Sequence, residues 1–282
     1  MSKDALSNSR MFKVDIFSAS QRDEEVAAML NRHLWWHKSN QPDNFVSWIS
    51  SLLYAVQYML YCFNRSKRQF SLDQIQLLMV DTTLFPSREI LFMEDVDLIN
   101  IYAEFGQPPQ ASQSKYNGNS LGQEKTLAKL ARMRSGLYLF GEYLSQGALR
   151  VEGKCKSITL EALIGRGLFS LRHDFLGSPA LGPDAKENSG WAKEVVKLRE
   201  VFAESGRREP VTASIFHAAL GITEGFESPL RLPFVIYFLS LYPRRLDNTL
   251  RLLFEGHFTV RKLRKVATYL APESKGKAED IR

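Results

Sequence analysis

Three serine hydroxyls cluster at one point of the sequence, in the segment FVSWISSLLYAVQYMLYCF that covers residues 45–63. Residues 45–48 have the bulky apolar side chains of a strand, and the apolar positions after residue 51 repeat at helical spacing. Ser47, Ser50 and Ser51 should therefore lie at a strand-to-helix turn, where a ligand could reach their hydroxyls. The alternative is structural, because a serine there can cap the helix by accepting a hydrogen bond from a free backbone N–H.

Two of the five histidines, and the two cysteines, are candidates for metal-binding chemistry. His33 and His37 are four residues apart near the end of a predicted helix over 23–36, but no carboxylate or third ligand follows at a familiar metal-site spacing. Cys62 and Cys155 are too few for a disulfide framework or a cysteine-rich zinc site, and we predict that both are buried as small apolar residues. The sequence thus predicts no metal site.

The elements that position these residues alternate between strand and helix in the first part of the chain. The strand over 74–81 is nearly continuous apolar sequence, which predicts burial on both of its faces. Other strands are predicted at 11–17, at 45–48, at 90–93 and in parts of 137–155. Helices are predicted at 23–36, after residue 51, at 95–105, at 123–133 and at 160–169. We expect an α+β fold with a small mixed or antiparallel sheet.

The pattern after residue 190 is only helical. Polar stretches rich in Gly and Pro interrupt the chain at 106–120 and 177–190, and we expect exposed loops there. Helices follow at 191–202, at 211–220, at 233–241, at 246–254 and between Leu263 and Leu270. Each carries an apolar stripe that needs a partner surface. We therefore expect an α+β domain over 11–176 and a C-terminal α-helical bundle over 191–270 that packs on it, with Phe238 in the core.

Composition narrows the classes of function. Hydrophobic residues make up 44% and charged residues 24% of the 282 residues, as in folded globular proteins. The net charge is +6, but no basic stripe is interleaved with aromatic residues, so nucleic acid is not an expected partner. The longest apolar run, 233–242, is about half of the ~20 residues that span a membrane. The polar start MSKDALSNSR has no signal-peptide core, which predicts an intracellular location, cytoplasmic or nuclear.

The order of several segments resembles an uncharacterised family of fungal intracellular proteins. The resemblance covers most of residues 11–205 and is carried by MFKVDIF, RHLWWHKS, FVSWISSLLYAVQYMLY, LLMVDTTLFPSREIL, GEYLSQGALRVEGKC and GLFSL. The N-terminal part in turn is similar to ADP-ribosyltransferase-like folds, in which a strand ending in Ser-x-x-Ser runs directly into a helix. That similarity implies a split, twisted sheet that grips NAD.

The resemblance also implies roles for particular residues. Cleavage of the nicotinamide glycosidic bond builds positive charge on the ribose, which a carboxylate can stabilise. Glu142 takes the place of the catalytic glutamate, with Ser47 and Ser50 as the serine motif. Lys13, Ser47 and Trp48 are assigned to binding NAD. A rival placement puts the glutamate at Glu89, with Ser87 two residues earlier.

Three departures from the transferase pattern bear on activity. Lys13 replaces the first-strand Arg or His and lacks the planar fork of Arg. Ile49 stands where Thr is usual, and Phe140 stands where active transferases have Gln or Glu. The first prediction is therefore a degenerate transferase-like domain that serves as an interaction or regulatory module for a protein partner. The alternative is an active NAD-dependent ADP-ribosyltransferase or NAD glycohydrolase, and a third hypothesis is an unrelated fold.

Overall fold

The computed structural model describes most of the chain between residues 18 and 258. The described residues are 18, 22–37, 43–65, 70–85, 92–105, 125–147, 149–175, 190–203, 209–226, 228–243 and 248–258. The predicted strand 11–17, the predicted loop 106–120 and the predicted helix between Leu263 and Leu270 lie outside them. So do all but the last residue of the loop predicted at 177–190.

The protein is α+β, with small antiparallel sheets. The strands are β1 (Phe45–Ile49), β2 (Gln76–Val80), β3 (Met93–Glu94), β4 (Glu142–Gln146) and β5 (Cys155–Thr159). The helices of the first part are α1 (Asp23–Leu34), α2 (Leu52–Arg65), α3 (Asp95–Tyr102), α4 (Leu127–Arg134), α5 (Leu160–Gly165) and α6 (Leu168–Leu171). They are followed by α7 (Gly190–Ala203), α8 (Ala213–Ile222), α9 (Ser228–Leu239) and α10 (Asn248–His257).

The chain divides into two compact units that are not simple N- and C-terminal halves. The first contains Met1–Val56 and Gln76–Ser157, and the second contains Gln57–Ile75 and Ile158–Arg282. The chain therefore passes from one unit to the other at three points: within α2, between Ile75 and Gln76, and within β5.

The first unit is built on a three-stranded sheet in the order β1-β4-β3. β4 is antiparallel to both neighbours, with Ser47 opposite Leu144 and Ile49 opposite Glu142. Helices α1, α3 and α4 contribute most of the core that Phe45 and Leu144 complete from the sheet. The buried core residues are Val26, Ala27, Leu30, Leu34, Phe45, Leu98, Ile99, Tyr102, Leu127, Leu130 and Leu144. Helix α1 thus lies over the face of the sheet that carries Ser47, because side chains two apart on a strand share a face.

In the second unit, α6 contacts α8, and α8 contacts α9. Phe216 and Phe238 are fully buried, which confirms the prediction that Phe238 is a core residue. The helix predicted over 160–169 is broken into α5 and α6 at Gly167, whose φ of +109° is left-handed. An added Cβ there would lie 2.9 Å from the Cβ of Ala218, so the close approach of α8 also favours glycine.

Two predictions about burial are wrong. Strand β2 alternates, with Leu77 and Met79 buried and Gln76 exposed, so one face is covered rather than both. A short run of apolar residues does not by itself distinguish a strand covered on one face from one covered on two. Cys62 and Cys155 are half-buried rather than buried. Within the described ranges, no helix has the length and apolarity required to cross a membrane.

Candidate functional site

Glu142 is placed by an unusual backbone at the start of β4. The preceding residue, Gly141, has a φ of +69°, a left-handed conformation that glycine adopts most readily. Its carbonyl oxygen accepts hydrogen bonds from the Ser50 backbone N–H at 2.8 Å and from Ser50 Oγ at 3.1 Å. A side chain at position 141 would collide with Ser50 Oγ. Ser50 therefore fixes the end of β1 against the start of β4.

Ser47 and Glu142 meet diagonally across β1 and β4. Ser47 Oγ donates a hydrogen bond to Glu142 Oε1 at 2.7 Å. Glu142 is only 7% exposed, whereas Ser47 is exposed. The structure thus brings together two of the residues that the resemblance paired, and solvent reaches the serine end of the pair.

Arg134 occupies the other side of Glu142. It is the last residue of α4, and its Nη2 donates to Glu142 Oε2 at 2.8 Å. Its Nε donates to Asp95 Oδ2 at 2.6 Å, and its Nη1 donates to the Tyr138 carbonyl oxygen at 2.8 Å. Each of the three guanidinium nitrogens therefore has an acceptor. The buried cation lies between two buried carboxylates.

Asp95 responds to burial more than to its ion pair. The pKa of Asp95 is raised to about 6, mainly by burial and also by the negative charge of Glu142, against the opposite effect of Arg134. Removal of a carboxylate from water disfavours its charged form, and a single shared cation does not restore what hydration supplied. Asp95 is therefore a group that changes charge in mildly acidic solution.

His33 extends the network towards the surface. Its Nε2 lies 2.8 Å from Ser47 Oγ, and its Nδ1 lies 2.9 Å from Asp43 Oδ1. The Phe45 backbone N–H also donates to Asp43 Oδ1 at 3.0 Å. Ser47 has one hydroxyl proton, so when it donates to Glu142 the imidazole must donate Nε2–H to Ser47.

The six residues form one connected polar network. In order of contact they are Asp43, His33, Ser47, Glu142, Arg134 and Asp95. An Asp-His-Ser order resembles a nucleophile with its base, but here the serine hydroxyl already has Glu142 as an acceptor. Likewise, the negative charge of Glu142 faces Arg134 directly. The first feature reduces the nucleophilicity of the Ser47 hydroxyl. The second reduces the negative charge that Glu142 could offer to a substrate.

The other predicted site residues lie elsewhere. Trp48 does not reach the network, because its Nε1 donates to Ser145 Oγ at 2.8 Å on the opposite face of the sheet. Ser50 contacts Gly141 rather than Glu142. Ser51, the other capping candidate, accepts a weak hydrogen bond from the Tyr54 N–H at 3.4 Å. Lys13 lies outside the described residues.

The rival pair Ser87 and Glu89 also lies outside the described residues. The structure therefore describes only the placement of the carboxylate at Glu142.

Phe140 is buried and packs against Tyr54, with ring centroids 4.7 Å apart. Among the described residues, no group of three or more His, Cys, Asp or Glu could hold a metal ion.

Sequence reasoning missed four members of the network. His33 was weighed only as a metal ligand, and Asp43, Asp95 and Arg134 were not singled out. Arg134 comes directly after the predicted helix 123–133. Its position gave no indication of burial, since an Arg at a helix C-terminus is usually solvated and interacts favourably with the helix dipole. Asp95 fits a known pattern, since acidic residues are favourable in the first turn of a helix. That pattern does not indicate that the residue is buried.

Comparison with protein families finds a match to the N-terminal part of the chain. A family model described as a domain of unknown function, DUF7587, matches residues 3–120. The match agrees with the predicted resemblance to an uncharacterised family, and it includes β1 and α1 but ends before Glu142. No curated protein and no solved structure matches the chain. The chain is thus similar, over less than half of its length, to a domain to which no activity is assigned.

Proposed function

We propose that the chain is a degenerate ADP-ribosyltransferase-like module that does not turn over NAD and serves inside the cell as an interaction or regulatory domain for a protein partner. The observation that supports this most directly is the state of Glu142. One carboxylate oxygen accepts from Ser47 and the other accepts from Arg134. A glutamate that stabilises a positively charged ribose needs negative charge that no fixed cation already neutralises.

Phe140 supports the same proposal. The transferase resemblance places a polar Gln or Glu at this position in active enzymes, where it would face a substrate. Here the side chain is apolar and buried, and the guanidinium carbon of Arg134 lies 5.7 Å from its ring centroid. Phe140 therefore helps to enclose the Arg134–Glu142 pair rather than to open it to a ligand.

The test is NAD turnover by the full chain. We expect no release of nicotinamide and no labelled protein when the purified chain is incubated with labelled NAD, with and without cell lysate. Glu142→Gln and Glu89→Gln, run in parallel, separate the two placements of the carboxylate. Turnover by the unaltered chain would refute the proposal.

A second candidate function is an active NAD-dependent ADP-ribosyltransferase or NAD glycohydrolase. The 2.7 Å contact between exposed Ser47 and Glu142 favours it, because the transferase pattern uses the serine to hold the glutamate. This candidate predicts nicotinamide release that Glu142→Gln abolishes. Release that survives Glu142→Gln but not Glu89→Gln would instead move the active carboxylate to Glu89.

A further inference from the structure

Trp36 adopts a conformation that large side chains rarely adopt. Its φ of +52° is the one positive value among the described non-glycine residues, and it is 48% exposed. The turn after α1 imposes this backbone, since the Trp36 N–H donates to the His33 carbonyl and the His37 N–H donates to the Arg32 carbonyl, both at 3.0 Å. Strained positions of this kind persist where the surroundings enforce them, and they concentrate at functional sites.

Positive charges from a second segment converge on the same turn. Trp35 Nε1 donates to the Thr126 carbonyl at 3.2 Å, which joins the end of α1 to the start of α4. As a result, Nζ of Lys125 and Nζ of Lys129 each lie 5.7 Å from the Trp35 ring centroid. Lys125 is exposed, so its ammonium can meet a partner while its stem covers the ring.

Arg32 adds a third cation to this region. Its Nε is buried and has no hydrogen-bond partner in the part of the chain that the structure describes. The pKa of His37 is lowered first by burial and then by the charges of Lys125 and Arg32. Arg32, Trp36, His37, Lys125 and the Trp35–Lys129 contact are thus close together, and we call this group the Trp36 corner.

We propose that the Trp36 corner binds an acidic peptide segment of a protein partner. This rests on the proposed function, because it names the partner chemistry of the interaction module. Carboxylates of the segment meet Lys125, Lys129 and Arg32, and an apolar side chain packs on Trp36. The exposed Trp36 ring is a suitable anchor, since Trp, Tyr and Arg most often dominate interface energetics, and the two lysines lie over the ring of the neighbouring Trp35.

The layout favours a peptide over a nucleic acid or a membrane. The cations gather around one turn, whereas proteins that bind single-stranded nucleic acid line a groove with cations and with several stacking aromatics. Interfacial membrane binding requires a helix with a long apolar face and a basic opposite face. Here one large aromatic ring is exposed beside a short helix end.

The experiment measures binding of two labelled peptides to the full chain by fluorescence anisotropy. The first peptide is rich in Glu around a central Phe-Leu pair, and the second has Gln in place of every Glu. We expect the acidic peptide alone to bind, with affinity that falls as salt rises. Lys125→Glu should weaken binding on the order of ten-fold, about 1.4 kcal/mol.

Trp36→Asn provides a variant that separates binding from folding. Asn tolerates a left-handed backbone, so this change should leave the melting temperature equal or higher. It should weaken binding of the acidic peptide by about five-fold. Lys193→Glu and Leu252→Ala are the matched controls, because Lys193 is exposed and Leu252 is 66% exposed on other helices. Both controls should bind like the unaltered chain.

Three outcomes would overturn the proposal. These are equal binding of the acidic and Gln peptides, equal weakening by the control variants, and tighter binding of a single-stranded oligonucleotide or of anionic phospholipid vesicles than of the acidic peptide. Nicotinamide release in the NAD assay would refute the proposed function separately, since the peptide titration contains no NAD.

Discussion

Arg134 and Arg172 are both buried, 8% and 2% exposed, but their charges are satisfied in different ways. Arg134 is held by two buried carboxylates, Asp95 and Glu142. Arg172 donates instead to two carbonyl oxygens, that of Leu198 at 2.6 Å and that of Leu241 at 3.2 Å. Arg134 therefore belongs to a network that contains a titrating group, Asp95. Arg172 instead joins two backbone segments through carbonyl oxygens, which do not titrate.

The environment of Arg172 shows why that difference matters. Its remaining nitrogen, Nε, donates to Asp174 Oδ2 at 3.1 Å, and the Asp174 side chain is 51% exposed. Its guanidinium carbon lies 4.7 Å from the centroid of the Phe202 ring. Because Asp174 remains hydrated, loss of Arg172 strands no buried charge. Loss of Arg134 would strand two, so the two arginines should respond differently to mutation and to pH.

The largest effect is expected for Arg134→Met. The change keeps most of the side-chain volume but leaves Asp95 and Glu142 buried without a cation, at a cost of about 3–5 kcal/mol at neutral pH. The cost should shrink in acid, because protonation of Asp95, whose pKa is about 6, removes one of the two stranded charges. Urea unfolding at pH 7 and pH 5 measures both values, and an identical cost at the two pH values would contradict a titrating network.

Asp95→Asn should remove a pH dependence that the unaltered chain shows. Because burial raises the pKa of Asp95 from 3.8 to about 6, the folded state holds its proton more tightly than the unfolded state does. The associated stability is complete below about pH 4 and is lost as pH rises through about 6, roughly 3 kcal/mol in total. The measurement is the difference in unfolding free energy between the unaltered chain and Asp95→Asn from pH 4 to pH 7. That difference should favour the unaltered chain less as pH rises.

Arg172→Met should cost about 2 kcal/mol, since two buried carbonyl oxygens lose their donors. In contrast to Arg134→Met, this cost should be the same at pH 7 and pH 5. The same urea titrations test it. A strong pH dependence would show that Asp174 is coupled to the fold more tightly than its exposure suggests.

Ser47→Ala should have the smallest effect, below about 1 kcal/mol, because the lost hydrogen bond lies at an exposed end of the network. Glu142 keeps its contact with Arg134 in this variant, so no buried charge is stranded. Thermal unfolding beside the unaltered chain measures the change. A loss as large as that of Arg134→Met would mean that the serine and histidine end of the network stabilises the fold as much as the arginine end does.

Sequence patterns predicted the elements around the site better than the site itself. The strand-to-helix segment at 45–63 was predicted to within a few residues. Bulky strand-forming side chains are followed there by apolar residues at helical spacing, and this change marks the boundary. The contact between Ser47 and Glu142, 95 residues apart, came from the family resemblance, since no period joins positions so distant.

The residues around that pair were beyond such reasoning for physical reasons. Asp95 and Arg134 are 39 residues apart, and only tertiary packing brings them together. The prediction groups Trp48 with Ser47, but neighbouring residues on a strand point to opposite faces, so the two side chains lie on different faces of the sheet. Burial of β2 on a single face depends on what covers the sheet, which its own sequence does not encode.

Gly141 restricts which substitutions this sequence can accept. A substitution there must enter a left-handed backbone and also displace Ser50 Oγ, so two independent penalties oppose every other amino acid. Glu142 follows immediately, and its direction across the sheet depends on that backbone. Chains that diverge from this one should therefore lose Gly141, Ser50 and the Glu142 network together, as a correlated set, rather than one residue at a time.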